Sequence, residues 1–120
     1  MKRTPLALVA VVASVAFAGS ASGMTANRLV GSTGPDSAMN ITLKKGTTKV
    51  TKLKHGKYTI VVKDIAATHN FHLTGPGVNK KTGVASKGTV TWTVTLKKGT
   101  YKYQCDVHAS LGMKGSFKVT

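Results

Sequence analysis

The feature that most constrains this chain is a short loop near its C-terminus that carries three residue types able to bind metal. Cys105 is the single cysteine, and His108 and Met113 follow it three and eight residues later. Tyr101 and Tyr103 alternate with polar residues, which predicts a strand that delivers Cys105 to its end. A thiolate, an imidazole and a thioether together suit copper better than zinc, calcium or magnesium.

A blue-copper site needs two histidines, one cysteine and a weak axial methionine, so the loop is short of one histidine. Residues 64–78, far upstream, contain two candidates, His69 and His72. On a strand these two side chains face opposite sides because they are three residues apart. The residues alone therefore predict that only one of the two histidines reaches the metal, and they do not decide which one.

The pattern Cys-x2-His-x4-Met, entered through a G-x-Y strand and preceded by a His-Asn pair, resembles the cupredoxins, and its loop spacing resembles the plastocyanin type. The resemblance covers the C-terminal two-thirds of the chain. It implies one type 1 copper per chain, with His69, Cys105, His108 and Met113 as ligands. It also implies that Asn70 ties the His69 loop to the cysteine loop and holds the site rigid.

Three other polar residues are expected to stay off the metal. His72 is the alternative to His69, and otherwise lies at the sheet surface or under the Thr-Gly-Pro-Gly loop. His55 falls in a Lys-His-Gly-Lys turn and is expected in solvent. Asp106 follows the cysteine directly and is predicted to be a turn residue.

Short alternating segments indicate the fold class. Residues 58–63 predict a strand buried on one face and half-covered on the other, and residues 89–96 alternate threonine with large apolar residues. The latter pattern is typical of a strand with one buried face. No segment after the N-terminal region has a sustained helical period. We predict an all-β, Greek-key antiparallel β-sandwich, cupredoxin-like by resemblance.

A short repeat predicts two similar corners in that sandwich. Leu-Lys-His-Gly-Lys-Tyr at 53–58 parallels Leu-Lys-Lys-Gly-Thr-Tyr at 96–101. Each stretch is interpreted as a strand, a glycine turn and a second strand. Tyr101, at the start of the strand that leads to the cysteine, is a candidate tyrosine corner.

The N-terminus has the pattern of a secretory signal peptide over residues 1–23, with two basic residues before an apolar run at 6–18. An uncleaved anchor is the alternative. Residues 24–38 are predicted to be a linker or an irregular N-terminal segment, so the first strands of the sandwich are expected to be reduced. Residues 39–120 are predicted to form the cupredoxin-like domain. The protein is expected to be secreted, periplasmic or at the cell surface.

The charge balance limits the classes of partner. The chain carries 18 Lys and Arg residues against 3 acidic residues, a formal net charge of +15. Such a field favours a redox partner with an acidic docking surface, or peripheral association with an anionic membrane or cell wall. A basic surface without a dedicated partner is the plain alternative. Nucleic acid is not expected, because no stacking platform or recognised module is present. A monomer is expected.

By resemblance, His108 presents its ring edge at the surface as the path of the electron. Ala109, Leu111 and Gly112 are small or apolar and are interpreted as a docking patch around it, with residues 75–77 completing the rim.

These features predict a secreted, mononuclear type 1 copper protein that carries single electrons. The alternative is a copper-binding module for storage, delivery or sensing at the cell surface. An enzyme is not expected, because neither a second metal site nor a catalytic dyad is found, and a dinuclear copper site needs two cysteines.

Overall fold

A computed structural model describes residues 27–120 of the chain as ten strands and one short 3₁₀ turn. The predicted signal peptide, residues 1–23, lies outside the described residues. The strands are β1 (Arg28–Thr33), β2 (Ile41–Lys45), β3 (Thr48–Lys49), β4 (Lys52–Leu53), β5 (Gly56–Asp64), β6 (His72–Gly75), β7 (Val78–Lys81), β8 (Gly88–Leu96), β9 (Gly99–Gln104) and β10 (Lys114–Val119), with the 3₁₀ turn at Ala109–Leu111. None of the described residues forms a helix long and apolar enough to cross a membrane.

The strands form two five-stranded sheets, which confirms the predicted β-sandwich. The first sheet has the order β3-β2-β1-β5-β8 and the second the order β4-β10-β9-β6-β7. Most neighbours are antiparallel, but β1 runs parallel to β5 and β10 runs parallel to β4. The sheets are therefore mixed, with one parallel pair in each.

The core lies between the sheets and follows the predicted alternation. In β5, Tyr58, Ile60 and Val62 are buried, while Thr59 and Val61 between them are half-buried, as predicted. A layer of aromatic rings fills the space near β9. The rings of Phe71 and Tyr103 stack with centroids 5.6 Å apart, and those of Tyr101 and Phe117 stack at 5.4 Å.

The two predicted corners are similar: in each, a tyrosine hydroxyl bonds to the backbone of the residue four positions earlier, in opposite directions. The hydroxyl of Tyr58 donates to the carbonyl oxygen of Lys54, four residues earlier, at 2.8 Å. The hydroxyl of Tyr101 accepts from the backbone N–H of Lys97, also four residues earlier, at 2.9 Å. The glycines at the two turns have nearly equal φ angles, 147° and 144°, a region that side chains rarely adopt. The repeat therefore encodes a repeated backbone shape, and Tyr101 forms the predicted tyrosine corner.

The structure differs from the expectation of a linker or irregular segment at Arg28–Thr33, which forms β1 at the centre of the first sheet. Leu29 of this strand is fully buried. Gly31 in this strand leaves room for an aromatic ring, since a Cβ there would approach Phe71 Cζ to 2.8 Å. The glycine serves packing, a role that the local pattern does not reveal.

The buried face predicted for residues 89–96 is only partly buried. Val94 and Leu96 are in the core, but Trp92 is half-buried and Val90 is 41% exposed. The reason is that β8 lies at the edge of the first sheet, paired with β5 alone. Alternation predicts which face points inward and not how far the opposite sheet extends over it.

Candidate metal centre

Cys105 directly follows β9, at the end of the sandwich where the long loops meet. Its side chain is fully buried. Its backbone N–H donates to the carbonyl oxygen of Met113 at 3.1 Å, and its own carbonyl oxygen accepts from the N–H of His108 at 3.2 Å. These bonds close the loop between β9 and β10 into a compact turn with the thiol facing inward.

The structure brings Cys105, His108 and His69 together from two distant parts of the sequence. The Sγ atom of Cys105 lies 3.5 Å from Nδ1 of His108 and 3.9 Å from Nδ1 of His69. The two Nδ1 atoms are 3.1 Å apart. Among the described residues, these three form a group whose ligand atoms all lie within 4.8 Å of one another.

The orientation of His69 is determined by two backbone carbonyl groups in the loop between β1 and β2. Its Nε2 lies 2.9 Å from the carbonyl oxygen of Ala38 and 3.2 Å from that of Pro35. A carbonyl oxygen only accepts, so Nε2 carries the ring proton. The Nδ1 atom is then left with a free lone pair that faces Cys105 and His108.

His108 is the least buried member of the group. It lies at the start of the 3₁₀ turn, where its carbonyl oxygen accepts from the N–H groups of Leu111 at 2.9 Å and Met113 at 3.2 Å. Its ring meets that of His69 edge to face, with centroids 4.9 Å apart. His69 and Cys105 are fully buried, whereas His108 is half-buried, so it connects the group to the surface.

Asn70 links the two loops that carry the group. Its side-chain oxygen accepts from the backbone N–H of Asp106 at 2.8 Å, and its side-chain nitrogen donates to the carboxylate of Asp106 at 2.9 Å. The same nitrogen donates to the carbonyl oxygen of Thr82 at 3.2 Å. This reciprocal pair joins the residue after His69 to the residue after Cys105, the tie that the resemblance implied.

Asp106 is more than a turn residue, because three side chains converge on its carboxylate. Burial alone would raise its pKa, but hydrogen bonds from His72, Asn70 and Gln104 outweigh that effect and lower the pKa to about 2. His72 lies 2.8 Å from this carboxylate and 2.7 Å from the side-chain oxygen of Asn79. His72 therefore lies outside the group, on the sheet surface.

Met113 lies beside the group and is almost fully buried, with 1% of its side chain exposed. Its backbone is bonded to Cys105 at one side and to His108 at the other. These backbone bonds hold Met113 next to Cys105 and His108 in the chain fold, and a thioether ligand at this position stays a prediction from the resemblance.

Two large apolar residues near His108 in the sequence are exposed, but only part of the predicted rim is present. Leu111 is 65% exposed and Val107 is 55% exposed. Residues 75–77 lie elsewhere: a Cβ on Gly75 would meet the ring of Tyr101, and Pro76 contacts Gly99, at the opposite end of β9 from the cysteine. The prediction that residues 75–77 complete the rim is wrong, because β6 is antiparallel to β9 and places its turn at the far end.

Sequence reasoning missed the loop between β1 and β2. Besides the two carbonyl groups that hold His69, this loop contributes Asp36, whose carboxylate accepts from the N–H groups of Ala67 and Thr68 and from the Thr68 hydroxyl. These hydrogen bonds lower the pKa of Asp36, the hydroxyl of Thr68 contributing most. Pro35-Asp36-Ser37 reads as a turn, and nothing local shows which loop it contacts.

The donor set fits one copper ion. A trigonal ion with bonds of about 2.0 to 2.3 Å separates its donors by roughly 3.5 Å, close to the spacing seen here. Two imidazoles and a thiolate in such an arrangement, with a nearby thioether, are typical of a mononuclear blue-copper centre. The fold and this cluster together define the class as a cupredoxin.

Comparison of the chain with known protein families supports this class. The family model of copper-binding proteins of the plastocyanin/azurin family matches residues 36–120. The chain therefore belongs to this family of copper proteins. No curated protein sequence matches it.

Solved structures show the same fold at low identity. Dithionite-reduced auracyanin from the photosynthetic bacterium Roseiflexus castenholzii is 18% identical, with a TM-score of 0.57, over 78% of this chain and 97% of that chain. Rusticyanin from Thiobacillus ferrooxidans is 21% identical, with a TM-score of 0.53, over 78% of this chain and 76% of that chain.

Proposed function

We propose that this protein is an exported electron carrier that binds one type 1 copper ion through His69, Cys105, His108 and Met113. The single observation that carries the proposal is the convergence of two imidazole Nδ1 atoms on one buried thiol. Family membership supports copper as the metal. Copper, when bound, supplies the one-electron couple between Cu(II) and Cu(I).

The surrounding residues would hold the ligands still. The carbonyl groups of Pro35 and Ala38 fix the ring of His69, and the pair formed by Asn70 and Asp106 fixes the two loops relative to each other. Residues that orient ligands in this way tune metal affinity and geometry. A site whose ligands cannot move far keeps the reorganisation on electron transfer small.

The half-buried ring of His108 is the route by which an electron would leave. Val107 and Leu111 expose apolar side chains on either side of it. A partner protein docking there would bring its own redox centre close to the imidazole edge. The buried ligands leave no evident position for a substrate, so we do not expect turnover of a small molecule.

A copper titration tests the proposal. Addition of Cu(II) to the purified protein should produce an intense thiolate-to-copper charge-transfer band that saturates at one copper per chain. Cys105→Ser should abolish the band, and His69→Ala should abolish or strongly alter it. His55→Ala is the matched control, because His55 is exposed and bonded to Thr120 at a corner remote from the group, so this variant should keep the band.

A second measurement separates electron transfer from copper delivery. A reversible reduction potential and fast self-exchange would support the carrier. Copper binding without the band, or ready loss of copper to a chelating protein, would contradict the carrier and favour delivery.

A further inference from the structure

The basic side chains are distributed unevenly between the two ends of the sandwich. A group that we call the basic pole lies in the half opposite the metal centre, on strand ends, on the two corners and on the β2–β3 hairpin. The basic pole consists of Arg28, Lys45, Lys49, Lys52, Lys54, Lys57, Lys97, Lys98 and Lys118, all of them exposed.

The acidic side chains are at the other end. Asp36 lies in the β1–β2 loop beside His69, Asp64 ends β5, and Asp106 follows Cys105. These are all three acidic residues of the sequence. Within residues 27–120 the one ion pair joins His72 to Asp106, so no lysine of the basic pole is paired with a carboxylate side chain. The other seven lysines of residues 27–120 lie at mid-strand or in the half with the metal centre, where the three carboxylates offset part of their charge, so the basic pole is the more positive end of the domain.

The basic pole also contains a depression suited to a phosphate group. An open surface hollow of about 420 Å³ is lined by Lys45, Lys49 and Lys52 and by Thr48 and Thr51, with Val50 and Leu53 as its apolar residues. Three ammonium groups and two hydroxyl groups around one hollow offer charge and hydrogen bonds to phosphate oxygens.

We propose that the basic pole binds the surface of an anionic phospholipid membrane and holds the metal centre away from it. An acidic protein is the weaker candidate, because protein interfaces depend on aromatic and apolar anchors. The large exposed apolar side chains of the described residues are Met39, Ile65, Val90, Val107 and Leu111, all in the half that contains the metal centre. Lysines without such anchors can still bind an anionic bilayer, because that attraction is electrostatic and needs no complementary shape.

The path of the chain agrees with this orientation. The described domain begins at the basic pole, where the Asn27 side chain donates to the carbonyl oxygen of Lys57 and β1 starts at Arg28. In the alternative of an uncleaved anchor, the apolar run at 6–18 would join the domain from this side. The nine residues of β5 place the two ends about 30 Å apart, so a domain seated on its basic pole would present His108 to solvent.

Vesicle cosedimentation of the full chain tests the proposal, with vesicles of phosphatidylcholine alone and of phosphatidylcholine mixed with phosphatidylglycerol. Two variants each lose four charges: K52Q/K54Q/K97Q/K98Q from the basic pole, and K63Q/K80Q/K81Q/K87Q from the other half. Both keep the same N-terminal segment and net charge. We expect the pole variant to bind mixed vesicles roughly tenfold or more weakly, and the control variant to change by less than about threefold.

Three outcomes would overturn the proposal. An equal loss of vesicle binding in both variants would show that binding depends only on net charge. Equal binding to neutral and anionic vesicles would show that the pole plays no part. Tight binding of soluble polyphosphate or of an acidic polypeptide without vesicle binding would assign the pole to another polyanion. Circular dichroism of both variants checks that each is folded. None of these measurements needs copper, so their failure is distinguishable from failure of the proposed function.

The orientation has its own test, which rests on the proposed function. The rate at which a small soluble reductant bleaches the copper band should be the same for free and vesicle-bound protein. Slower bleaching on vesicles would place His108 against the lipid and contradict the proposed orientation.

Discussion

The two ends of this sandwich are closed in different ways. At the metal end, loops distant in sequence are joined by side chains: Asn70 bonds to Asp106, and His69 bonds to carbonyl groups of the β1–β2 loop. At the opposite end, each corner is closed by a tyrosine that bonds to the backbone four residues before it. The metal end is therefore held by side chains from distant loops, whereas each corner has a tyrosine bond within five residues in addition to its longer-range contacts.

The difference predicts which substitutions affect the metal and which affect only stability. Asn70→Ala should have the largest effect, because it leaves the N–H of Asp106 without its partner and unties the two loops. We expect a loss of about 3 kcal/mol in the free energy of unfolding and roughly 10- to 100-fold weaker copper binding. Chemical denaturation and copper titration measure the two quantities. Unchanged copper affinity would show that the loops hold their positions without this tie.

Tyr101→Phe should lower stability without affecting copper. The hydroxyl of the fully buried Tyr101 accepts from Lys97 and donates to the carbonyl oxygen of Pro76 at 2.7 Å, so its removal leaves two backbone groups short of a partner. We expect a loss of about 2 kcal/mol, measured by denaturation of the copper-free protein. A changed charge-transfer band in this variant would break the distinction between the ends.

Tyr58→Phe is the matched substitution at the other corner and should cost less. Its hydroxyl makes one hydrogen bond, to the carbonyl oxygen of Lys54, and burial raises the pKa of this hydroxyl. We expect a loss of about 1 kcal/mol. An effect as large as that of Tyr101→Phe would show that the second hydrogen bond, to Pro76, contributes little.

The smallest effect is expected from pH at the metal end. Because the pKa of Asp106 is lowered to about 2 from an ordinary value of 3.8, its ionised form stabilises the fold above pH 4. That contribution is lost as the pH falls towards 2. The carboxylate is partly exposed, so solvent screening limits the contribution to about 1 kcal/mol or less.

Denaturation midpoints of the copper-free protein, measured between neutral pH and pH 2.5, should fall less steeply for Asp106→Asn than for the unaltered chain. Parallel curves for the two proteins would contradict the contribution of this carboxylate.

The sequence predicted local features well. The repeated corners, the strand that ends at Cys105 and the buried face of β5 all follow from short-range patterns. The meeting of His69 with Cys105 and His108 required the family resemblance, because spacing alone left His69 and His72 equally open. Neither the short-range patterns nor the resemblance predicted the contacts between loops. The carbonyl groups that orient His69 have no local signal in the sequence, and neither does the position of residues 75–77 at the far end.

The bond from His69 to the β1–β2 loop has a consequence for the order in which the metal site can be assembled. The groups that orient this histidine are in the loop between the first two described strands, while Cys105, His108 and Met113 come much later in the chain. A chain made or translocated from its N-terminus can prepare the His69 ring early, but it cannot assemble the full donor set until β10 is in place. Copper uptake would then report that the chain has been made and folded through β10, and chains truncated before this strand would remain unable to take up the metal at this site.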